Sequence, residues 1–264
     1  MLVFPQLSTG ASALYPLTKT SRQRTVVNTL GDGSIDIYAD PDARSLGWEI
    51  QAKGLTAGEW GAIEALFEAT SGMWRAFTFL DPAGNLLAES ETLSASTWTN
   101  GALIDLTPGV SDPLGTTRAT LVTNAGQGTE GVGQTLAVPG NFHYCISVWA
   151  RTDSSTSVIL TISTTGGSAT KTFALGAQWA RVSISANLAQ ATNLVTFSAQ
   201  MSAGGTIDLF GMQVEAQLAP SDYKQTGTSG GVYGNARFGA DTITVTAQGT
   251  DVYNAVIQIV NTEN

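Results

Sequence analysis

Apolar and polar residues alternate at period two through most of this chain and leave that rhythm once, for a helix. Leu46, Trp48 and Ile50 alternate within residues 45–53 and predict a half-buried strand. Residues 24–28 and 33–39 read as two further strands across the turn Gly31-Asp32-Gly33. The apolar spacing then becomes helical, with Trp60, Ile63, Leu66 and Phe67 on one stripe. Thr56 stands ahead of that stripe with Glu59 three residues on, the pattern of a reciprocal capping box, and Leu55 and Trp60 occupy the hydrophobic-staple positions. Gly72 predicts a left-handed helix end. One stripe calls for one partner surface, so the helix is expected to lie on a sheet. A strand over residues 73–80 follows.

From Asn85 the pattern changes to short alternating runs separated by turn residues, at 115–122, 131–138, 142–151, 157–163, 179–185, 194–201 and 206–215. Regular short strands without helices predict a two-sheet sandwich. Residues 226–231 are rich in Gly, Ser and Thr and read as a flexible joint. Two last strands are predicted at 242–247 and 254–261, with Ile243, Val245, Val256, Ile257 and Ile259 as apolar members. A tail that short buries too little surface to fold alone. It is therefore expected to return to the sheet of the opening segment. The fold class read from the pattern is mainly β: a β-sandwich with one flanking helix (residues 1–84 and 224–264), split by an inserted β-sandwich (residues 85–223).

Composition narrows the function. Hydrophobic residues make up 42% of the 264, so a sizeable core is available, and six tryptophans argue against disorder. Charged residues are only 12%, about half the usual share, which suits surfaces that meet other subunits. The net charge of −9, without a basic cluster, argues against nucleic acid as a partner. Lys19, Arg22 and Arg24 form a short local group, read as a solvated or subunit-facing edge. No stretch of about 18 apolar residues exists, so no membrane insertion is expected. The opening Met1-Leu2-Val3-Phe4-Pro5 lacks the features of a signal peptide, and synthesis in the cytosol is expected.

Reactive chemistry is sparse. Cys145 is the one cysteine and His143 the one histidine, so neither a disulfide within the chain nor a Cys- or His-based metal site is expected. No phosphate-binding loop or dinucleotide fingerprint occurs. Cofactors and metals are both read as none. Glu89 and Glu91 have the chemistry of a glycosidase pair but fall in the lead-in to the sandwich, and the chain is read as a non-enzyme. Asp112, Asp208 and Asp222 have calcium-ligand chemistry, but their spacing does not demand a site.

Two resemblances add to this. Leu55-Thr56-Ala57-Gly58-Glu59-Trp60, Gly72 and Phe77-Thr78-Phe79-Leu80-Asp81-Pro82 resemble the tail-proximal domain of phage distal tail and related minor tail proteins. That resemblance implies a virion protein of the tail tip or baseplate. Its subunits would close a ring, usually of six, that joins the tail tube to baseplate hub proteins and takes part in host attachment. Asn85-Leu86-Leu87-Ala88-Glu89-Ser90-Glu91 with Trp98, Trp179-Ala180-Arg181-Val182 and Leu209-Phe210-Gly211-Met212-Gln213-Val214-Glu215 resemble jelly-roll carbohydrate-binding modules. The second resemblance implies a jelly roll that offers a surface for host polysaccharide. A stand-alone or fibre-borne glycan binder without a ring role is the alternative.

The residues themselves suggest where a sugar would bind. Phe142, Tyr144, Ile146 and Val148 are apolar and are expected between the sheets, which turns His143, Cys145, Ser147, Trp149 and Arg151 outward. Trp179, Arg181 and Ser183 oppose Ala180, Val182 and Ile184 in the same way, and Thr196, Ser198 and Gln200 oppose Val195, Phe197, Ala199 and Met201. One outer face bearing Trp, Arg and Gln is expected, with Trp149, Arg151, Trp179, Arg181, Gln200 and His143 as glycan-binding candidates. An aromatic plate beside polar groups can stack a sugar ring. The competing reading has each tryptophan covering a core edge or a neighbouring subunit.

Overall fold

A computed structural model describes residues 1–262. Met1–Ser8, Ala13–Phe79 and the chain from Tyr233 onward form one unit, and Thr9–Ser12 with Leu80–Val232 form a second. The chain is mainly β; the described residues form one helix and three sheets.

The first unit opens with β1 (Leu17–Thr29), β2 (Ile35–Leu55), α1 (Ala57–Thr70) and β3 (Phe77–Leu80). The strands expected at 33–39 and 45–53 are one strand of 21 residues. The polar stretch between them looks like a break in sequence, but β1 pairs on both sides of it, Arg24 with Asp40 and Arg22 with Ser45. A register shift between Arg22 and Arg24 takes up the extra residues. The helix is capped as expected. The Thr56 hydroxyl accepts from Glu59 N, and Thr56 N donates to Glu59 Oε2. Trp60, Ile63 and Leu66 are buried, and Phe67 packs on Phe238 with ring centroids 5.1 Å apart. The left-handed end starts at Ser71, one residue before Gly72, and both residues have positive φ. Glycine is required at 72 for a second reason: a Cβ there would meet Asp241 Oδ1, which accepts a bond from Met73 N.

Ten strands of the second unit follow: β4 (Thr99–Asn100), β5 (Ile104–Val110), β6 (Ala119–Asn124), β7 (Glu130–Leu136), β8 (His143–Arg151), β9 (Ser157–Thr164), β10 (Gly167–Ala174), β11 (Ala180–Asn187), β12 (Val195–Met201) and β13 (Thr206–Glu215). The chain then contributes β14 (Val232–Phe238), β15 (Val245–Gly249) and β16 (Val252–Thr262) to the first sheet. That sheet has the order β1-β2-β16-β14-β3, with β15 on β16. The returning strand β16 sets Ile257 opposite Ile50 and Ile259 opposite Trp48. Trp48 lies 4.9 Å from Phe79 and 4.8 Å from Tyr233, centroid to centroid, so residues distant in sequence share one aromatic core. The first unit's strands make a single sheet; α1 and the segment carrying Phe4 and Leu7 supply the rest of its core, where a sandwich would need a second sheet.

In the second unit the sheets β10-β9-β12-β7-β4 and β11-β8-β13-β6-β5 face each other. Tyr144, Ile146 and Val148 of one meet Leu160, Ile162, Phe197 and Ala199 of the other in a core of side chains with 0–1% exposure. Three strands of this unit, β4, β5 and β10, escaped the sequence reading, as did β14 of the first unit. They stand at or next to sheet edges, where only one face is covered and the alternation is weak. The unit also extends past its expected limits of 85 and 223. Asp81 N donates to Gly231 O and Gly231 N to Asn85 O, each at 2.8 Å, so its two ends are stitched to each other. Residues 226–231 are therefore not a slack joint. The Thr226 hydroxyl donates to Leu87 O, and a Cβ at Gly230 would collide with Leu86 O. The glycine is there for close backbone approach.

Candidate functional site

The two outer faces of the second unit differ in what the chain leaves open. On β11-β8-β13-β6-β5, pairing aligns Arg181, Trp149 and Phe210 in one row, and Ser183, Ser147 and Gln213 in the next. The residues after β13 lie across these rows. Arg181 donates to Ser221 O at 2.6 Å and to Ser147 Oγ at 3.0 Å. Lys224 N donates to Gln213 Oε1, and Lys224 Nζ pairs with Glu215 Oε1 at 2.7 Å. The Tyr223 ring packs on Phe210 at 5.3 Å, and its hydroxyl donates to Glu91 Oε1. Burial alone would raise the pKa of Glu215, but bonds from Lys224, Ser221 and Gln213 reverse this and lower it. Cys145 is buried beside Glu215, and burial pushes its thiol up to about 12. The polar groups that a ligand would use on this face are thus bonded within the chain.

One end of this face stays partly open. Arg151 stacks over Trp179 with 4.7 Å from its Cζ to the ring centroid. Its guanidinium is fixed by Asp208 Oδ2 at 2.8 Å and Ser111 Oγ at 3.0 Å. Trp149 is half-buried in the adjoining row. His143 is half-buried at the other end of β8, close to the backbone at Gly10. Arg181 Nε is buried without a bond, because the other guanidinium nitrogens take the available acceptors.

Gln200 is elsewhere. β12 belongs to the other sheet, so the expectation of one face carrying all six candidates is corrected. Outward alternation is right for each strand, but membership of a sheet depends on pairing that alternation does not encode. The second face is less covered, although Ser198 and Gly133 on it are buried. Its registers align Thr172, Ile159, Gln200 and Gly131; then Thr170, Thr161, Ser198 and Gly133; then Ser168, Ser163, Thr196 and Thr135. None of these twelve residues is ionisable. The hydroxyls of Thr161 and Thr170 are 3.3 Å apart and those of Thr135 and Thr196 are 2.8 Å apart. Glycine at 131 leaves a low floor beside Gln200, and a Cβ there would collide with Ala199 O. Reading the sequence strand by strand missed Thr170, because β10 went unrecognised, and the two glycines, because they leave no outward side chain to count; Thr161 lies on the predicted strand β9 but gains its place only from pairing with β10 and β12.

Other candidates resolve into structural roles. Glu91 accepts from Arg118 Nη1 at 3.0 Å, Tyr223 and Gln225, while Glu89 sits at positive φ with its carbonyl bound to Trp98 Nε1. Glu91 lines a cavity of about 320 Å³ with Arg118, Leu93 and Leu106. Asp208 pairs with Arg151, whereas Asp112 accepts from the backbone of its own loop. Among the described residues no three His, Cys, Asp or Glu side chains converge as metal ligands.

No family model and no curated protein matches the chain. Solved structures do. The enzymatically active domain of tailspike protein 4 of Bacteriophage CBA120 is 15% identical with a TM-score of 0.41, over 52% of this chain and 22% of that one. The CBM22-1 xylan-binding domain of Paenibacillus barcinonensis Xyn10C is 14% identical with a TM-score of 0.42, over 55% of this chain and 99% of that one. TmCBM61, solved with beta-1,4-galactotriose, is 12% identical with a TM-score of 0.38, over 49% and 97%. At such values the likeness says nothing of ligand or activity.

Proposed function

We propose that this chain is a structural protein of a phage tail tip or baseplate. Its first unit takes part in a ring of subunits between the tail tube and hub proteins, and its second unit presents a non-catalytic, glycan-binding face to the host surface. The single observation that carries the binding part is the contrast between the two sandwich faces: the chain covers most of one with its own polar bonds and leaves more of the other, an uncharged array of hydroxyls around Gln200, open. Neutral hydroxyl and amide groups can exchange hydrogen bonds with sugar hydroxyls, and weak contacts repeated around a ring gain avidity. The ring part draws on the resemblance carried by residues 55–60, 72 and 77–82. It also draws on a first sheet completed by strands on both sides of the second unit, which a glycan binder without a carrier has no need of.

The test is retention of the purified chain on host-envelope polysaccharide. Gln200→Ala is expected to weaken binding about 3- to 10-fold, the worth of one or two net hydrogen bonds. Thr170→Arg, which places a bulky charge on the open face, is expected to abolish it. Trp179→Ala should leave binding unchanged; loss there with retention in Gln200→Ala would move the site to the Trp179–Arg151 end. Electron microscopy of the particle tests the ring, and absence of the chain from the tail would refute that part.

A further inference from the structure

Where β5 ends its sheet, the sandwich of the second unit does not close. Leu106 and Pro108 of β5 pair with Val122 and Thr120 of β6, and Thr120 pairs on its other side with Leu209. Val122 and Leu209 are 0–1% exposed in the core, so this row points between the sheets. β5 carries a bulge between Pro108 and Val110, and a bulge bends the strand that holds it. The cavity of about 320 Å³ beside Glu91 opens here. Leu93, Leu106 and Pro108 give it an apolar wall, and the exposed Thr92, Ser94 and Thr117 also line it.

Two of its lining side chains keep polar atoms without a partner. Thr120 is 3% exposed, and among the described residues nothing bonds to its hydroxyl. Arg118 bonds through Nε to Thr116 Oγ1 and through Nη1 to Glu91 and Gln225, which leaves Nη2 without a partner on a side chain 36% exposed.

The charges beside the cavity are already satisfied. Glu91 Oε1 accepts from Arg118 and Tyr223, and Oε2 from Arg118 and Gln225. Asp112 accepts from Leu114, Thr116 and Arg118 and lies 3.7 Å from Arg118 Nε. A cation therefore finds no spare carboxylate oxygen, and an anion meets two carboxylates against one guanidinium. A purely apolar guest would leave the buried Thr120 hydroxyl unpaired, at a cost. The guest that meets all of these conditions is neutral, with an apolar face and several hydroxyls. The volume is at the low end for ligand pockets and suits one ring rather than a run of them.

We propose that this cavity binds a single neutral pyranose ring, with its C–H face on Leu93, Leu106 and Pro108 and its hydroxyls on Thr120 Oγ1 and Arg118 Nη2. The site is separate from the array around Gln200, which belongs to the other sheet. It adds to the glycan reading a place for a chain end or a free monosaccharide, and it does not depend on that array.

The test titrates the isotope-labelled full chain with glucose, galactose, mannose and N-acetylglucosamine in turn and follows backbone amides by NMR. Each sugar is taken to on the order of 10 mM, since one ring is expected to bind with a Kd on the order of 1 mM. At least one sugar should move the amides of Leu93, Ser94, Thr117 and Thr120 together. Thr120→Val, which removes the hydroxyl and keeps the volume, should weaken that sugar about 2- to 10-fold. Thr117→Trp, at an exposed position, should block it, and both variants should fold as the wild type by circular dichroism. Shifts confined to Thr161, Ser198 and Gln200 overturn the cavity site and leave the reading of the open face standing. Absence of shifts with all four sugars, or unaltered binding in both variants, also overturns it. Cavity shifts in a chain that host polysaccharide does not retain uphold the site and sink the open face. A linear trisaccharide of the bound sugar that moves the same amides assigns the end of a polysaccharide, and one that is refused assigns a free monosaccharide; either result upholds the site.

Discussion

Asp112 illustrates how much a single buried carboxylate can organise. It accepts from the backbone N–H groups of Leu114, Thr116 and Arg118 and from the Thr116 hydroxyl. Burial opposes its charge, yet the Thr116 hydroxyl and those N–H groups outweigh it and hold the pKa at about 2, below the ordinary 3.8. A carboxylate with a depressed folded pKa stabilises the native state above its unfolded value, and that contribution is lost as pH falls from about 4 towards 2. Asp112→Asn should therefore flatten the acid limb of a stability–pH curve measured by urea unfolding, with little change in slope above pH 5. Tyr223 acts at the same scale. Its hydroxyl joins Ser90 and Glu91, so Tyr223→Phe should cost about 1–3 kcal/mol by leaving a buried acceptor short of a donor.

At the scale of elements, local rules and close approach decide stability. Thr56 caps α1 with both bonds of the capping box in place, and Thr56→Ala should lower stability by about 0.5–2 kcal/mol, seen as a shifted urea midpoint with an unchanged m-value. Gly131 stands where β7 meets β12, with no room for a Cβ beside Ala199 O. Gly131→Ala should cost about 1–3 kcal/mol by forcing the two strands apart, and should weaken glycan retention along with stability. The segment after β13 acts as a covering element. Its bonds to Arg181, Gln213 and Glu215 convert a polar outer face into an inner one.

At the scale of the molecule, two separate cores predict two cooperative events. One core gathers Trp48, Phe77, Phe79 and Ile259, and the other Tyr144, Ile146, Phe197 and Leu209. Scanning calorimetry should resolve two transitions, each two-state in its own right. Residues 80–232 expressed alone should fold and reproduce one of them, since the ends of that unit are bonded to each other at Asp81, Asn85 and Gly231. Residues 85–223 should melt lower, because that shorter piece loses the Lys224, Thr226 and Gly231 bonds.

The sequence by itself determined what depends on nearest neighbours in the chain. The capping box at Thr56 and Glu59, the apolar stripe of α1, the inward set Tyr144, Ile146 and Val148, and most strands of the second unit all follow from residues a few positions apart. Tertiary structure decided what depends on pairing. Only the sheet order separates Gln200 from Trp149, although both point outward from alternating strands. Only register merges two predicted strands into β2 and leaves its hairpin uncovered. Only the path after Glu215 ties down Arg181, through its bond to Ser221 O. A period of two fixes which side of a strand a residue takes, whereas the neighbour that strand will have is set by pairing with residues from about 40 to about 200 positions away.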